Sequence, residues 1–214
     1  DGGAGVVQGG SRCSMCDPTG SIAGSVRQVL LHTPRPENAA LYRQALAGVP
    51  GAEVVLGARL DGFMCDAVIA PTNSFGYLDS GLDGAFGRRF GARLQRTLQE
   101  RIAREHDGEL PVGEALIVPT GDFAVPFLVA APATRLPGSI SVEPFLYSSL
   151  SAAMQAIDRW NARHEGPAIE VVALPDIARM LPEWQPERLT MQLRQAMIDW
   201  SAHAAPALGQ ARAA

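Results

Sequence analysis

The stretch that most constrains this chain is "AVIAP", residues 67–71, an unbroken apolar run closed by Asp66 on one side and Thr72 on the other. A half-solvated strand would alternate apolar and polar side chains, because successive residues face opposite sides of the sheet. An unbroken run needs cover on both faces, which a strand finds inside a mostly parallel sheet flanked by helices. Further runs read as its partners: "RQVLLHT" (27–33), "AEVVLG" (52–57), "ALIVPT" (115–120), "FLVAAP" (127–132) and "IEVVALP" (169–175). Between them lie helical patterns. "PENAALYRQALAG" (36–48) opens on Pro36 and stops at Gly48. Phe86, Phe90, Leu94, Leu98 and Ile102 recur every fourth residue and predict one helix over about 83–105. Two more are expected at 143–164, with Pro144 in the first turn, and at 186–204. Strands alternating with helices predict an α/β fold with a six-stranded, mostly parallel sheet.

The chain has 214 residues, of which 47% are apolar, enough for one domain with a sizeable core. That domain is expected over 26–204. Residues 1–25 are rich in Gly and Ser and predict a flexible tail; 205–214, "APALGQARAA", predict a second. A net charge of −4 and a pI near 5.6 argue against nucleic acid and anionic membranes as partners. No apolar run nears the roughly 18–20 residues of a membrane span, and no signal peptide is visible, so a cytoplasmic home is expected. Cys13 and Cys16 form "CSMC", but no second C-x-x-C or H-x-x-x-H completes a zinc set, so no metal is expected. Cys65 reads as a small buried hydrophobe.

In sheets of this kind ligands sit beyond the carboxyl ends of the strands. The loops after residues 71, 120, 132 and 175 are therefore expected to share one rim. The loop after 71 is long and polar. Asn73 could grip a ribose or carboxamide, or close an Asx-turn on its own backbone. Ser74 follows it. Gly81 and Gly84 surround a helix start, where main-chain N–H groups can cradle phosphate, or they serve plain turn chemistry. Asp83 reads either as a helix cap or as a carboxylate that orients water. Thr120 and Gly121 are expected on the same rim, with Thr134 and Arg135; Arg135 could pair with phosphate or with a surface carboxylate. The four histidines are scattered, and neither G-x-S-x-G nor H-E-x-x-H occurs. The arginines between 88 and 104 are interrupted by Glu100 and read as a solvated helix face.

Five blocks together, "DAVIAPTNS", "SGLDGAF", "PVGEALIVPTG", "VAAPATR" and "VVALP", resemble the macro domain family, over about residues 52–200. The "P-x-N-S-F-G" pattern looks closest to a bacterial and phage-associated branch. The resemblance implies a three-layer α/β/α sandwich with a mixed sheet. It implies binding of ADP-ribose and no cofactor, with hydrolysis of ADP-ribosyl linkages in some members; a non-catalytic reader and a degenerate relative with another ligand stay open. It places Asn73 at the distal ribose, the amides of Ser80, Gly81 and Leu82 at the diphosphate, and Asp83 as the catalytic carboxylate beside Asn73. Three departures stand out. Asp79, Ser80 and Gly81 replace a triple glycine, Ala58 stands where an adenine-reading aspartate is usual, and "DIARML" (176–181) lacks the glycines of a second phosphate loop. Arg179 is the candidate substitute there.

Overall fold

The computed structural model describes residues 26–57, 62–79, 81–137, 146–177 and 186–209; for 81–83, 186 and 203–209 it describes backbone alone. Six strands form one sheet: β1 (Gln28–Thr33), β2 (Ala52–Leu56), β3 (Ala67–Asn73), β4 (Leu116–Pro119), β5 (Phe127–Thr134) and β6 (Val171–Leu174). Five helices join them: α1 (Pro36–Ala45), α2 (Gly81–Phe90), α3 (Ala92–Glu105), α4 (Leu146–Arg163) and α5 (Pro186–Gly209). The strand order is β2-β1-β6-β3-β5-β4. All neighbours are parallel except β4, which runs antiparallel to β5. The expected mixed, mostly parallel sheet is what forms, with "AVIAP" near its centre and every residue of β3 buried.

Strand alternation divides the core into two layers. Val29, Leu31, Ile69, Val129 and Leu174 face α1, α4 and α5. Val68, Ala70, Leu116, Leu128 and Ala173 face α2 and α3. On that second face Leu94, Leu98 and Ile102 of α3 are fully buried. Each such side chain contributes about 1.5–3 kcal/mol, so α3 is a fixed post beside the carboxyl end of β3.

Two expectations are corrected. The single helix over 83–105 is two helices, broken at Gly91, whose φ of 78° and ψ of 169° lie in a region that suits glycine. The apolar spacing of four runs straight across the break, so periodicity alone does not show it. The second concerns Thr120 and Gly121. Pro119 pairs with Phe127, which itself pairs with Ala67 at the start of β3. The end of β4 therefore lies at the amino end of the parallel strands, opposite the rim. The connection between β4 and β5 is too short for a crossover, and only an antiparallel hairpin can close it. Thr120 is a hairpin residue: its hydroxyl donates to the Val125 carbonyl and accepts from the Asp122 N–H. At the carboxyl end of the chain, α5 continues to Gly209, beyond the expected end at 204. The tail expected over 1–25 lies outside the described residues.

No helix among the described residues is long and apolar enough to cross a membrane. Among them, no three His, Cys, Asp or Glu side chains gather as a metal site. Cys65 lies half-buried just before β3, and burial pushes its thiol up to about 12. A thiolate is the reactive form, so Cys65 should resist alkylation at pH 8. In a Cys13→Ser/Cys16→Ser variant, disulfide-reagent titration should find one thiol reacting at least about 100-fold more slowly than an unperturbed cysteine; rapid reaction in the folded protein would contradict this burial.

Candidate functional site

The carboxyl rim is built around the segment from Asn73 to the start of α2. Beside it the register between β3 and β5 shifts, Thr72 pairing with Pro132 but Asn73 with Thr134. A bulge of this kind turns the strand end and re-aims the chain. Ser74 then fastens the corner: its N–H lies 3.1 Å from both the Thr134 and Arg135 carbonyls, and its carbonyl accepts from Leu110 at 2.8 Å.

Asn73 shapes the loop that follows. Its Oδ1 accepts from the N–H groups of Phe75 and Tyr77, at 3.1 and 3.2 Å, and its Nδ2 donates to the Tyr77 carbonyl at 2.9 Å. Of its two sequence readings, the turn-closing one describes this conformation: the residue is 2% exposed and its carboxamide is turned into its own loop. Three main-chain groups that would otherwise need water are satisfied by one side chain. The next clamps come from α3. Gln95 Oε1 accepts from the Leu78 N–H at 2.8 Å, and Gln99 Nε2 donates to the Phe75 carbonyl at 3.4 Å. Gly76, at φ 66°, lies against Leu98 and Ile102, which a Cβ there would meet at about 3 Å.

The loop then enters α2 at Gly81. The first N–H groups of a helix have no acceptor within it, and they carry the positive end of the helix dipole. Gly81, Leu82, Asp83 and Gly84 make up this first turn. Ser80 lies outside the described residues, as does Arg179. Gly87 sets how closely α2 approaches the loop: a Cβ there would lie 2.3 Å from the Leu78 carbonyl oxygen. At Gly84 the corresponding approach, to the Asp79 backbone, is 3.2 Å. Gly87, Gln95 and Gln99 were not singled out by sequence pattern. A glycine on the loop-facing side of a short helix is the signal that could have pointed to the first; the glutamines carry none.

Elsewhere on the carboxyl rim, Asp176 anchors the connection that follows β6. It is 4% exposed, and its carboxylate accepts from Thr33 Oγ1 at 2.8 Å, from Tyr42 Oη at 2.8 Å and from Asn38 Nδ2 at 3.0 and 3.1 Å. A carboxylate so saturated is a structural rivet joining β1, α1 and β6. Ile177 beside it is fully buried in the core. The start of "DIARML" therefore faces inward. On the same rim Arg135 is paired with Glu109, Nε to Oε1 at 2.6 Å, the surface-carboxylate reading of that residue. His32, near the end of β1, lies under the Phe63 ring at a centroid distance of 4.0 Å. Burial pushes its imidazole below the usual histidine range, against a smaller upward pull from Glu53. The hydroxyls of Thr72 and Ser74 are buried and meet no hydrogen-bond partner among the described residues.

Comparison with known proteins agrees with this fold. The macro domain family model matches residues 69–189, more than half of the chain and all of the rim from β3 to the start of α5. A search of curated sequences finds no match. Among solved structures, the macrodomain of Mycobacterium tuberculosis DarG shares the fold with a TM-score of 0.50 and 18% identity, covering 65% of this chain and 85% of that one. An Oceanobacillus iheyensis macrodomain with ADP aligns with a TM-score of 0.38 and 15% identity, covering 69% and 90% of the two chains. A mutant of the same macrodomain with ADPR aligns with a TM-score of 0.39 and 15% identity, covering 66% and 91%. Matched by its family model across the segment that builds the rim, and carrying the corresponding fold, the chain belongs to the macro domain family.

Proposed function

We propose that this protein binds ADP-ribose, or a closely related nucleotide, at the carboxyl rim. The diphosphate lies against the first-turn amides of α2, and the distal ribose lies against the loop from Asn73 to Asp79. Macro domains bind ADP-ribose, and one observation carries the proposal for this chain. The loop is closed by Asn73 and tied to α3, so it delivers the open end of α2 to the rim in a fixed position. A donor set held in place before the ligand arrives loses less entropy on binding. In this reading Asn73 acts by shaping the loop, and Ser74 by fixing the corner. The ligand-binding groups are main-chain donors from Ser80 to Gly84. Arg179, which lies outside the described residues, is the proposed side-chain charge for the diphosphate. Calorimetric titration with ADP-ribose should show one site per chain; no heat up to millimolar ligand would exclude the proposal.

Hydrolysis is a second reading, supported by the place of Asp83 in the first turn of α2. Its proposed role is to orient water at the ribose subsite. General-base catalysis is worth about 10²–10⁴ in rate. If the protein cleaves an ADP-ribosylated substrate, Asp83→Ala should lower kcat at least about 100-fold while ADP-ribose still binds. Binding in the wild-type protein without turnover would make it a reader.

A further inference from the structure

The sheet ends on one side at β4, and the groove beside that open edge stands apart from the rim. It encloses about 120 Å³ between α3 and α4. Arg101 forms one wall, Ala156, Arg159, Trp160 and Arg163 form the other, the chain at 115–117 is its floor, and the Glu165 carboxylate also lines it. The Thr120 N–H donates to the Pro126 carbonyl, so in this antiparallel pair the main-chain groups of Val118 and Leu116 face β5, while those of Ile117, whose side chain is buried, point to the open edge. The outward Ile117 carbonyl accepts from Arg101 Nη1 at 2.5 Å. Its N–H points to the same open side.

Part of this arrangement is edge protection. Pro119 offers no N–H and Arg101 covers a carbonyl, both of which discourage strand addition. That role accounts for Arg101, whose Nε and Nη2 also hold Glu105 at 2.9 and 2.8 Å. It does not account for Arg159 and Arg163, neighbours one turn apart on α4. Arg163 makes one long contact with Glu165, at 3.5 Å. Arg159 is exposed and meets no carboxylate among the described residues. With Arg104 also on Glu105, four guanidinium groups face two carboxylates, on a chain whose net charge is −4. The wall between them is rigid. Trp160 Nε1 donates to the Pro167 carbonyl at 3.0 Å, its ring meets Phe127 edge-on at 5.1 Å, and a Cβ on Gly166 would come within 2.6 Å of it.

We propose that this groove is a second anion site, specific for a phosphate group and independent of the rim. Arg159 and Arg163 supply the charge and N–H forks, and the Ile117 N–H supplies a main-chain donor. The groove is open to solvent on one side, and its 120 Å³ has room for one tetrahedral oxyanion, with the rest of a larger ligand projecting outward. The occupant is therefore free phosphate or a phosphomonoester that inserts only its terminal group.

The test uses the full chain, labelled with ¹⁵N and titrated with inorganic phosphate at ionic strength held constant with chloride. The Ile117 amide and the Trp160 indole N–H should shift and saturate with a Kd of about 1–10 mM, while amides of residues 74–84 stay still. In the Arg159→Ala/Arg163→Ala variant, both of whose sites are exposed, affinity should fall at least about tenfold. A parallel arm with ribose 5-phosphate identifies the source: tighter binding than inorganic phosphate points to a phosphomonoester, and equal or weaker binding to the free ion. No saturable shift beyond the chloride control, or an identical response in the double variant, would overturn the site.

Discussion

Gly87→Ala should destabilise the protein and weaken ADP-ribose binding, the reverse of what a glycine-to-alanine change does in most helices. In a helix interior alanine is favoured over glycine by roughly 0.5–1 kcal/mol. Here the new methyl would lie 2.3 Å from the Leu78 carbonyl oxygen, a main-chain atom that cannot rotate away. Either α2 lifts or the loop retreats. Overpacking of this sort costs about 1–3 kcal/mol, or a melting temperature lower by roughly 3–10 °C for a chain of this size. The same displacement moves the first-turn amides, so ADP-ribose affinity should fall at least about tenfold, or 1.4 kcal/mol. Gly84→Ala is the graded control. Its Cβ would meet the Asp79 backbone at 3.2 Å, so a smaller shift suffices and both effects should be weaker. Differential scanning calorimetry and ligand titration on the two variants check the order. A Gly87→Ala protein as stable as wild type would mean that α2 does not rest on the loop.

Asp176→Ala should produce the larger loss of stability. Removing the carboxylate takes away the acceptor shared by the buried Thr33 and Tyr42 hydroxyls and the half-buried Asn38 amide. Unpaired buried donors cost about 1–3 kcal/mol each. Allowing for relaxation, a loss of about 3–5 kcal/mol is expected from the hydrogen bonds that three neutral donors lose to one charged acceptor. Asp176→Asn should restore only part of it, because its amide nitrogen must face donors where the carboxylate offered acceptors. Urea denaturation of the three proteins measures this directly. Equal stability of wild type and Asp176→Ala would show that the rivet bears no weight.

Much of the architecture was legible because burial writes itself into apolar runs. "AVIAP" could only be a strand covered on both sides, and β3 is buried throughout. Of the five sequence blocks that resemble macro domains, four fall on β3, α2, β5 and β6 around the rim, and "PVGEALIVPTG" falls on β4, which runs away from it. What the sequence concealed has particular causes. Gly91 breaks a helix across which Phe86, Phe90, Leu94 and Leu98 keep their spacing, so the apolar stripe survives the kink. Thr120 and Gly121 were misplaced because strand direction is a property of the connection: the few residues between β4 and β5 force reversal. Asn73 had two readings, a ribose grip and an Asx-turn, and the positions of the Phe75 and Tyr77 amides separate them. Asp176 sits among Thr33, Asn38 and Tyr42, more than 130 positions away along the chain, and no local pattern relates them.

The central claim is that the loop shaped by Asn73 presents the open end of α2 to a nucleotide diphosphate. The most direct measurement is the change in backbone amide resonances of ¹⁵N-labelled protein as ADP-ribose is added. The account predicts that the largest shifts fall on residues 80–84, with smaller ones along 74–79, and that amides at the β4–β5 hairpin stay unchanged. Binding that leaves 80–84 unmoved while shifting residues elsewhere would contradict it.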